Sequence, residues 1–327
     1  MPKILIIRFS SIGDIVLTSP VIRNLKQQLP SAEIHFCTKA AYRTLVENNP
    51  HLSRIHYLEK NLYSLIERLK QEKYDYVIDL HNNLRSRIVK FRLGAKAFTF
   101  NKLNFRKWLL VNLKMNTLPD LHIVDRYMET LERLNIKNDG AGLDYFIPER
   151  DIVKTDSLPE AYRKGYYAYA IGAQHNTKKL PPDRIIELCE KIEAPVILLG
   201  DKNDAETARY VEAYFIKKNK TFRVYNACGK FNLNQSASVI KNSLAVFTHD
   251  TGLMHIASAF KKKVYSLWGN TVPEFGMYPY KTDYEVLERK GLSCRPCSKI
   301  GYKECPKGHF KCMNEIDFGQ ISIKTVR

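Results

Sequence analysis

Five short polar segments carry residue types that bind anions or exchange protons, and each follows an apolar run of strand length. The clearest is Asp250-Thr251-Gly252-Leu253-Met254-His255, between an apolar run at 244–247 and a run with helical spacing. A helix that begins directly after a strand presents free backbone N–H groups to an anion. Asp250, Thr251 and Gly252 also suit a helix cap, so a capped helix with a buried His255 explains the same residues.

Two further segments lie in the second half of the chain. In GAQHNTKKLP (172–181), the hydroxyl of Thr177 and the ammonium groups of Lys178 and Lys179 suit a diphosphate, although a solvated basic loop is the alternative. In GDKNDAE (200–206), Asp204 or Glu206 can accept hydrogen bonds from ribose hydroxyls. Acids in the first turn of a helix are the alternative there.

The first half contributes SSIGD (10–14) and HNNLR (81–85). The first of these lacks the glycine spacing of a dinucleotide fingerprint and the Gly-Lys-Ser/Thr of a phosphate-binding loop, which removes both common cofactor interpretations. What remains is a carboxylate, Asp14, at a sharp turn. It is either a helix cap or an ionised base.

The elements that must position these segments alternate in type along the chain. Apolar runs of strand length are separated by runs with helical periodicity, which indicates βαβ units with parallel strands. The pattern is lost in the polar stretch 148–165, which we interpret as a linker. We therefore predict an α/β protein with two doubly wound, Rossmann-like domains, residues 1–155 and 156–327, facing a central cleft. The predicted strands are 3–9, 33–38, 54–58, 74–80, 97–100 and 143–147, then 167–171, 196–199, 222–225, 244–247 and 264–267.

Charge is the unusual feature of the composition, at a formal net +18 over 327 residues. Residues 81–118 contain nine Lys or Arg and no acid, interleaved with large apolar residues such as Phe105 and Trp108. This pattern favours an anionic membrane surface or an amphiphilic anionic ligand, with an ordinary solvated helix face as the alternative. The charge also motivates a nucleic-acid-binding protein, but the sequence contains no recognisable nucleic-acid module. No apolar run approaches membrane-spanning length and no signal-peptide pattern is present, so we expect a cytoplasmic protein.

Four of the seven cysteines lie near the C-terminus, at Cys294, Cys297, Cys305 and Cys312. Clustered cysteines in a cytoplasmic protein bind metal more often than they form disulfides. The C-x2-C half suits zinc or iron, whereas the second half lacks the paired spacing of common zinc folds. A structural Zn or Fe site, reduced thiols and a single disulfide all remain open.

Taken in order, the segments resemble glycosyltransferase family 9, which contains the ADP-heptose–lipopolysaccharide heptosyltransferases. The resemblance covers nearly the whole chain and rests on SSIGD (10–14), DLHNNLRS (79–86), KKLP (178–181), GDKNDAE (200–206) and THDTGLMHIASA (248–259). It implies a GT-B fold and an inverting transfer of heptose from ADP-heptose to a lipopolysaccharide core or lipid A precursor. The family's common Trp after the lysines is Leu180 here, which affects packing against the nucleotide.

The resemblance also implies roles for individual residues. Asp14 matches the proposed general base in an acceptor-binding N-terminal domain, and the remaining matches fall in two groups. Donor-binding positions in the C-terminal domain are Thr177, Lys178 or Lys179, Asp204 or Glu206, Asp250, Thr251, Gly252 and His255. Acceptor-binding positions are Gly13, Asn83 and Arg85.

The implied partners are ADP-heptose or a related sugar nucleotide, an anionic glycolipid acceptor and the cytoplasmic face of the inner membrane, with no nucleic acid. Catalysis is expected to need no metal or other cofactor, because cations and a helix N-terminus can neutralise a departing diphosphate. The alternatives are a transferase for another sugar nucleotide or a nucleotide-sugar epimerase on the same fold.

Overall fold

The structure is a computed structural model that describes residues 1–319 and 321. The chain divides into two compact units. The first contains Met1–Leu103 and Leu121–Phe146, and the second contains Asn104–Asp120 and Ile147–Arg327.

The first unit is built on a five-stranded parallel sheet. The four apolar residues of its first strand are fully buried, as expected for a parallel strand covered by helices on both faces. The strand order β3-β2-β1-β4-β5 is that of a doubly wound fold. The strands are β1 Lys3–Ile7, β2 Glu33–Lys39, β3 Arg54–Leu58, β4 Tyr76–Asp79 and β5 Lys96–Thr99.

The helices of the first half connect these strands. Leu65, Ile66 and Leu69 form the buried face of one of them and pack into the apolar core. A 3-10 helix at Ala40–Leu45 replaces an α-helix after β2. The helices are α1 Ile12–Val16, α2 Ser19–Gln28, α3 Leu62–Gln71, α4 Leu84–Leu93, α5 Asn104–Leu113 (in the second unit) and α6 Ile123–Met128.

The second unit is built on a six-stranded parallel sheet in the order β11-β10-β9-β6-β7-β8. Its core includes the stacked rings of Phe247 and Tyr265, whose centroids are 4.4 Å apart. The strands are β6 Tyr167–Ala170, β7 Val196–Leu199, β8 Val224–Asn226, β9 Val246–His249, β10 Val264–Trp268 and β11 Tyr284–Glu288. The helices are α7 Glu160–Arg163, α8 Pro182–Lys191, α9 Ala205–Lys217, α10 Leu233–Asn242, α11 Gly252–Ala259 and α12 Lys311–Asn314. Both halves of the chain thus contain the doubly wound parallel sheet that the sequence predicts.

The units differ from the predicted domains in two places. The division falls between Phe146 and Ile147 rather than at 155/156, and α5 belongs to the second unit. Leu110 of α5 packs with Val272 and Phe275. This contact explains why α5 belongs to the second unit although the residues before and after 104–120 belong to the first.

The observed strands differ from the predicted ones in two places. Residues 143–147 form no strand. Side chains of α2 bind this segment instead: Arg23 donates to the carbonyl of Gly142 at 2.8 Å, and the N–H of Asp144 donates to Ser19 Oγ at 2.9 Å. In the second unit, β11 extends the sheet by one strand that the apolar pattern did not indicate.

Within the part of the chain that the structure describes, no helix is both long enough and apolar enough to cross a membrane.

Candidate active site

Four of the five polar segments lie in pairs, one pair at one place in each sheet. In the first unit, β1 and β4 are adjacent in the sheet. The strand that follows β1 in the chain lies on one side of this pair, and the strand that follows β4 lies on the other side. In the second unit, β6 and β9 have the same relation. These are the topological switch points, where doubly wound sheets bind ligands beyond the carboxyl ends of the strands. Segments 10–14 and 81–85 follow β1 and β4, and segments 172–181 and 250–255 follow β6 and β9.

Asp14 lies in the first turn of α1 and is held from three directions. Its Oδ2 accepts hydrogen bonds from Ser11 N at 3.1 Å and Ser11 Oγ at 2.8 Å. Its Oδ1 pairs with Arg8 Nη2 at 2.7 Å. Arg8 is buried and also donates to Tyr127 Oη at 3.0 Å and to the carbonyl of Leu80.

This environment fixes the protonation state of Asp14. Burial alone would raise the pKa of the carboxyl group, but the charge of Arg8 and the hydrogen bonds from Ser11 outweigh it, so the pKa lies below its usual value. The nearby His81 has its pKa lowered to about 4, first by burial and then by the charge of Arg8. At neutral pH the site therefore holds an ionised carboxylate beside a neutral imidazole.

The segment after β4 is shaped by Asp79, which is fully buried. Its carboxylate accepts from the N–H groups of His81 and Asn82 at 3.0 and 2.7 Å and pairs with Lys90 at 2.9 Å. Two predicted acceptor-binding residues follow it. Asn83 caps α4 through Ser86 N at 2.9 Å, and Arg85 is exposed in the first turn. The third, Gly13, is buried inside α1.

In the second unit the structure joins Lys178 to Asp250. Lys178 Nζ lies 2.5 Å from Asp250 Oδ2 and 3.2 Å from its carbonyl oxygen. The hydroxyl of Thr271 donates to the same carboxylate oxygen at 2.9 Å. Thr251 is the N-cap residue of α11 and Gly252 its first residue, and both are half-buried. An ammonium group, a carboxylate and a helix N-terminus therefore meet at the switch point.

A second lysine–aspartate pair lies beside the first. Lys179 Nζ is 2.7 Å from Asp204 Oδ1, and Asp204 Oδ2 accepts from Asp201 N at 3.0 Å. Asp204 is buried so tightly that a Cβ added at Gly172 would lie 2.3 Å from its Oδ2. Glu206, the alternative acid, is exposed in the first turn of α9. Of the two acids, only Glu206 presents its carboxylate to solvent.

Thr177 and His255 are more deeply placed than the sequence indicates. The Thr177 hydroxyl donates to the carbonyl of Tyr302 at 3.1 Å and accepts from its N–H at 2.8 Å. Donation to a diphosphate would require this hydroxyl to exchange a backbone partner. His255 is 2% exposed, in the buried face of α11.

The cysteine cluster lies in the segment that contacts Thr177. Cys297 Sγ donates to the carbonyl of Cys294 at 3.2 Å, and Cys294 Sγ is 3.8 Å from His309 Nε2. All seven thiols are free, and burial raises the pKa of Cys297 to about 11 and that of Cys312 to about 12. Among the described residues, no three of these thiols lie within 4.8 Å of one another. The predicted structural Zn or Fe site at these cysteines stays a prediction, and we derive no catalytic step from it.

Four supporting residues were missed by sequence reasoning. Arg8 directly follows the apolar residues of β1 and falls within the predicted strand 3–9. His249 ends β9, and its Nε2 accepts from Leu180 N at 3.0 Å, with its pKa lowered to about 3 by burial. Thr271 holds Asp250, and Arg295 holds Thr271 by donating to its carbonyl at 3.0 Å. The only sequence signal for these four residues is a charged or polar residue at the end of a strand, and it identifies Arg8 and His249 alone.

Comparison with known proteins connects this geometry to a family. The model of glycosyltransferase family 9 (heptosyltransferase) matches residues 62–307. Lipooligosaccharide heptosyltransferase 2 of Haemophilus influenzae is 25% identical over 297 residues, which cover 84% of this chain and 85% of the relative.

Two solved structures share the fold. ADP-heptose LPS heptosyltransferase II of E. coli has a TM-score of 0.70 at 21% identity, covering 96% of this chain and 98% of that one. A glycosyl transferase family 9 protein of Veillonella parvula has a TM-score of 0.71 at 21% identity, covering 88% and 85%. The predicted α/β architecture with two parallel sheets, that of GT-B enzymes, is confirmed.

Proposed function

Because the chain belongs to glycosyltransferase family 9, we propose that this glycosyltransferase moves a heptose from ADP-heptose, with inversion, to a lipopolysaccharide core or lipid A precursor. The observation that carries the proposal is that both switch points hold charged side chains. One holds the ionised carboxylate of Asp14, and the other holds Lys178 and Lys179, each paired with an aspartate. The proposal is supported by the activities for which the relatives are named: a lipooligosaccharide heptosyltransferase in Haemophilus influenzae and an ADP-heptose LPS heptosyltransferase in E. coli.

The second unit is proposed to hold the donor. Lys178 and Lys179 neutralise the diphosphate, together with the N-terminus of α11. Asp250 carries a negative charge beside that diphosphate and is better suited to the sugar hydroxyls. These cations supply the leaving-group stabilisation, so we expect transfer to continue in the presence of a chelator.

The acid that binds the ribose is proposed to be Glu206. Asp204 already accepts from Lys179 and from a backbone N–H, which makes it the residue that positions the lysine. Glu206 is exposed in the first turn of α9. Thr177 is then a support for the loop rather than a direct phosphate ligand.

Asp14 is proposed to be the general base in the first unit. The acceptor hydroxyl oxygen attacks the anomeric carbon while the bond to ADP breaks on the opposite face, and Asp14 takes the hydroxyl proton. Attack opposite the leaving group inverts the anomeric configuration. Gly13 and Asn83 shape the adjoining turns, and the exposed Arg85 offers its charge to an anionic acceptor.

A peripheral position at the cytoplasmic face of the inner membrane is part of the proposal. The net charge of +18 favours anionic surfaces. In the first unit, Leu84 and Phe91 of α4 are 74% and 84% exposed. In the second unit, Phe105 and Trp108 of α5 are 71% and 48% exposed. Exposed apolar side chains among basic residues are suited to an anionic lipid interface.

The proposed activity is tested by ADP release from ADP-heptose with and without a heptose-deficient lipopolysaccharide acceptor. We expect release only when the acceptor is present, and a product whose new glycosidic bond has the opposite anomeric configuration by NMR. Conversion of ADP-heptose without acceptor would instead identify an epimerase. Equal turnover of other sugar nucleotides would identify a different donor. Tight, salt-dependent nucleic-acid binding that is unaffected by changing Asp14 would favour the nucleic-acid alternative.

A further inference from the structure

A cluster of titratable side chains in the first unit has no part in the proposed transfer. His35 lies on β2, His56 on the neighbouring strand β3, and Glu72 at the C-terminal end of α3. His35 and His56 are buried, at 2% and 8% exposure, and Glu72 is half-buried. Among the residues that the structure describes, this is the one set of three His, Cys, Asp or Glu whose ligand atoms all lie within 4.8 Å of one another.

The ligand atoms of the three side chains lie close together. His35 Nδ1 and His56 Nε2 are 3.3 Å apart. Each nitrogen faces a different oxygen of Glu72: His35 Nδ1 lies 3.9 Å from Oε2, and His56 Nε2 lies 3.9 Å from Oε1. Two ligands about 2.05 Å from a tetrahedral zinc ion are about 3.3 Å apart, which matches the spacing of the two nitrogens.

Tyr74 contributes a fourth polar atom. Its hydroxyl lies 2.9 Å from His35 Nδ1 and 3.0 Å from His56 Nε2. The two nitrogens and the phenol oxygen therefore form a triangle with edges of 2.9 to 3.3 Å, the dimensions of one face of a tetrahedral ligand set. Tyr74 can serve as a ligand or hold a metal-bound water.

The surrounding charges allow a cation to enter. Lys3 and Arg54 both contact the Glu72 carboxylate. Lys3 has Glu33 as a second partner at 3.3 Å, and the side chain of Arg54 is 61% exposed to solvent. A metal ion can therefore replace these contacts without leaving either cation buried and unpaired. An adjoining surface cavity lined by His56, Arg68 and Glu72 gives access from solvent.

We propose that His35, His56 and Glu72 bind a divalent first-row transition metal ion, with zinc the best match, at a structural site that joins β2, β3 and the end of α3. Imidazole nitrogen and carboxylate oxygen are ligands that Zn²⁺ accepts in tetrahedral geometry. The site lies toward the amino end of β2 and before β4, whereas Asp14 follows the carboxyl end of β1. Its effect is therefore on the stability of the edge strand β3 rather than on proton transfer.

The test is Zn²⁺ uptake by the full-length chain, measured by equilibrium dialysis and elemental analysis. His56→Gln and Glu72→Gln remove ligands, and His51→Gln is the matched control because His51 lies in the same unit outside the cluster. We expect wild type and His51→Gln to bind one equivalent more zinc than His56→Gln and Glu72→Gln. Metal bound at the cysteine cluster is common to all four proteins and cancels in the difference.

Two further readouts keep the proposal falsifiable. Zn²⁺ should raise the unfolding temperature of wild type and His51→Gln more than that of Glu72→Gln, which decides the question even if His56→Gln folds poorly. In Co²⁺ difference spectra, wild type minus Glu72→Gln should show nitrogen/oxygen ligation without thiolate charge transfer. Equal zinc uptake and equal stabilisation in all folded variants would overturn the proposal.

Discussion

At the scale of single residues, the central pair is Asp14 and Arg8. Partial burial of a carboxylate without a partner would raise its pKa, whereas Arg8 and Ser11 hold the pKa of the half-buried Asp14 below its usual value. The same contacts make Asp14 a weak base, since proton acceptance improves as the pKa of the base approaches the working pH. Arg8 thus sets both the protonation state and the strength of the proposed base.

Replacing Arg8 should therefore shift the pH dependence of transfer. In Arg8→Gln the burial of Asp14 is no longer offset by the charge of Arg8, so the pKa of Asp14 rises. Activity that needs ionised Asp14 is lost as the pH falls through that pKa. The acid limb of the kcat/KM profile should accordingly move to higher pH than in wild type. Arg43→Gln, at an exposed arginine of the same unit, is the control. Coincident acid limbs would show that Arg8 does not act on the base.

The sequence predicts Asp14 but not its partner. A carboxylate after a strand is visible as a candidate because its residue type and its turn are both local. Arg8 stands directly after four buried apolar residues and reads as the end of the strand. Its role depends on contacts with Leu80 and Tyr127, far along the chain, which no local pattern encodes.

At the scale of elements, the segment 294–312, which carries the four clustered cysteines and is called the tail below, supports the proposed donor site. Arg295 donates to the carbonyls of Gly269 and Thr271 at 2.5 and 3.0 Å and pairs with Glu288 at 2.6 Å. Thr271 in turn holds Asp250. The tail also binds Thr177 through the backbone of Tyr302. A structural Zn or Fe at the four cysteines stays a prediction, but the support is provided by arginine and backbone contacts.

Arg295→Gln should weaken donor binding more than it slows turnover. Loss of the charged donor leaves the 269–271 turn less restrained, so Asp250 and Lys178 are less well positioned before the donor binds. We expect KM for ADP-heptose to rise several-fold, on the order of 1 kcal/mol, with kcat within about twofold of wild type. Arg209→Gln, at an exposed arginine of α9, should leave both constants unchanged. An unchanged KM in Arg295→Gln would remove the tail from the donor site.

Most elements are predictable because strand and helix periodicities are local. The positions of α5 and of residues 143–147 are not, since both depend on distant partners. Leu110 packs with Val272 and Phe275 of the second unit. Arg23 and Ser19 form the hydrogen bonds to the backbone of 142–144 that a neighbouring strand would otherwise form. Tertiary contacts therefore decide to which unit α5 belongs, and they replace the strand that the sequence pattern predicts at 143–147.

At the scale of the whole molecule, the large positive charge and the exposed aromatic residues bear on where the protein acts. Trp108 is half exposed on α5, whereas Trp268, the second of the two tryptophans, is buried in the core. Emission from Trp108 therefore reports contact with lipid. The sequence indicates this surface from composition alone, but the structure is needed to show which apolar residues remain exposed.

Binding to vesicles should depend on both charge and Trp108. We expect sedimentation with phosphatidylglycerol-containing vesicles, a blue shift of tryptophan emission, and little binding to phosphatidylcholine alone. Trp108→Ala should weaken binding about 10-fold, the scale of burying part of an aromatic side chain. Phe222→Ala removes an aromatic residue of the same unit that is 70% exposed, and should bind like wild type. Equal loss in both variants would indicate general hydrophobic adhesion instead of a defined surface.

The most direct test of the proposed transfer is to measure donor affinity and acceptor-dependent ADP release in parallel for wild type and Asp14→Asn. Asparagine keeps the size of the side chain and removes its ability to accept the proton. The dissociation constant for ADP-heptose should stay within about twofold of wild type, while turnover with acceptor falls roughly 100-fold or more. Turnover equal to wild type would contradict the account, because Asp14 would then be a helix cap and not the base.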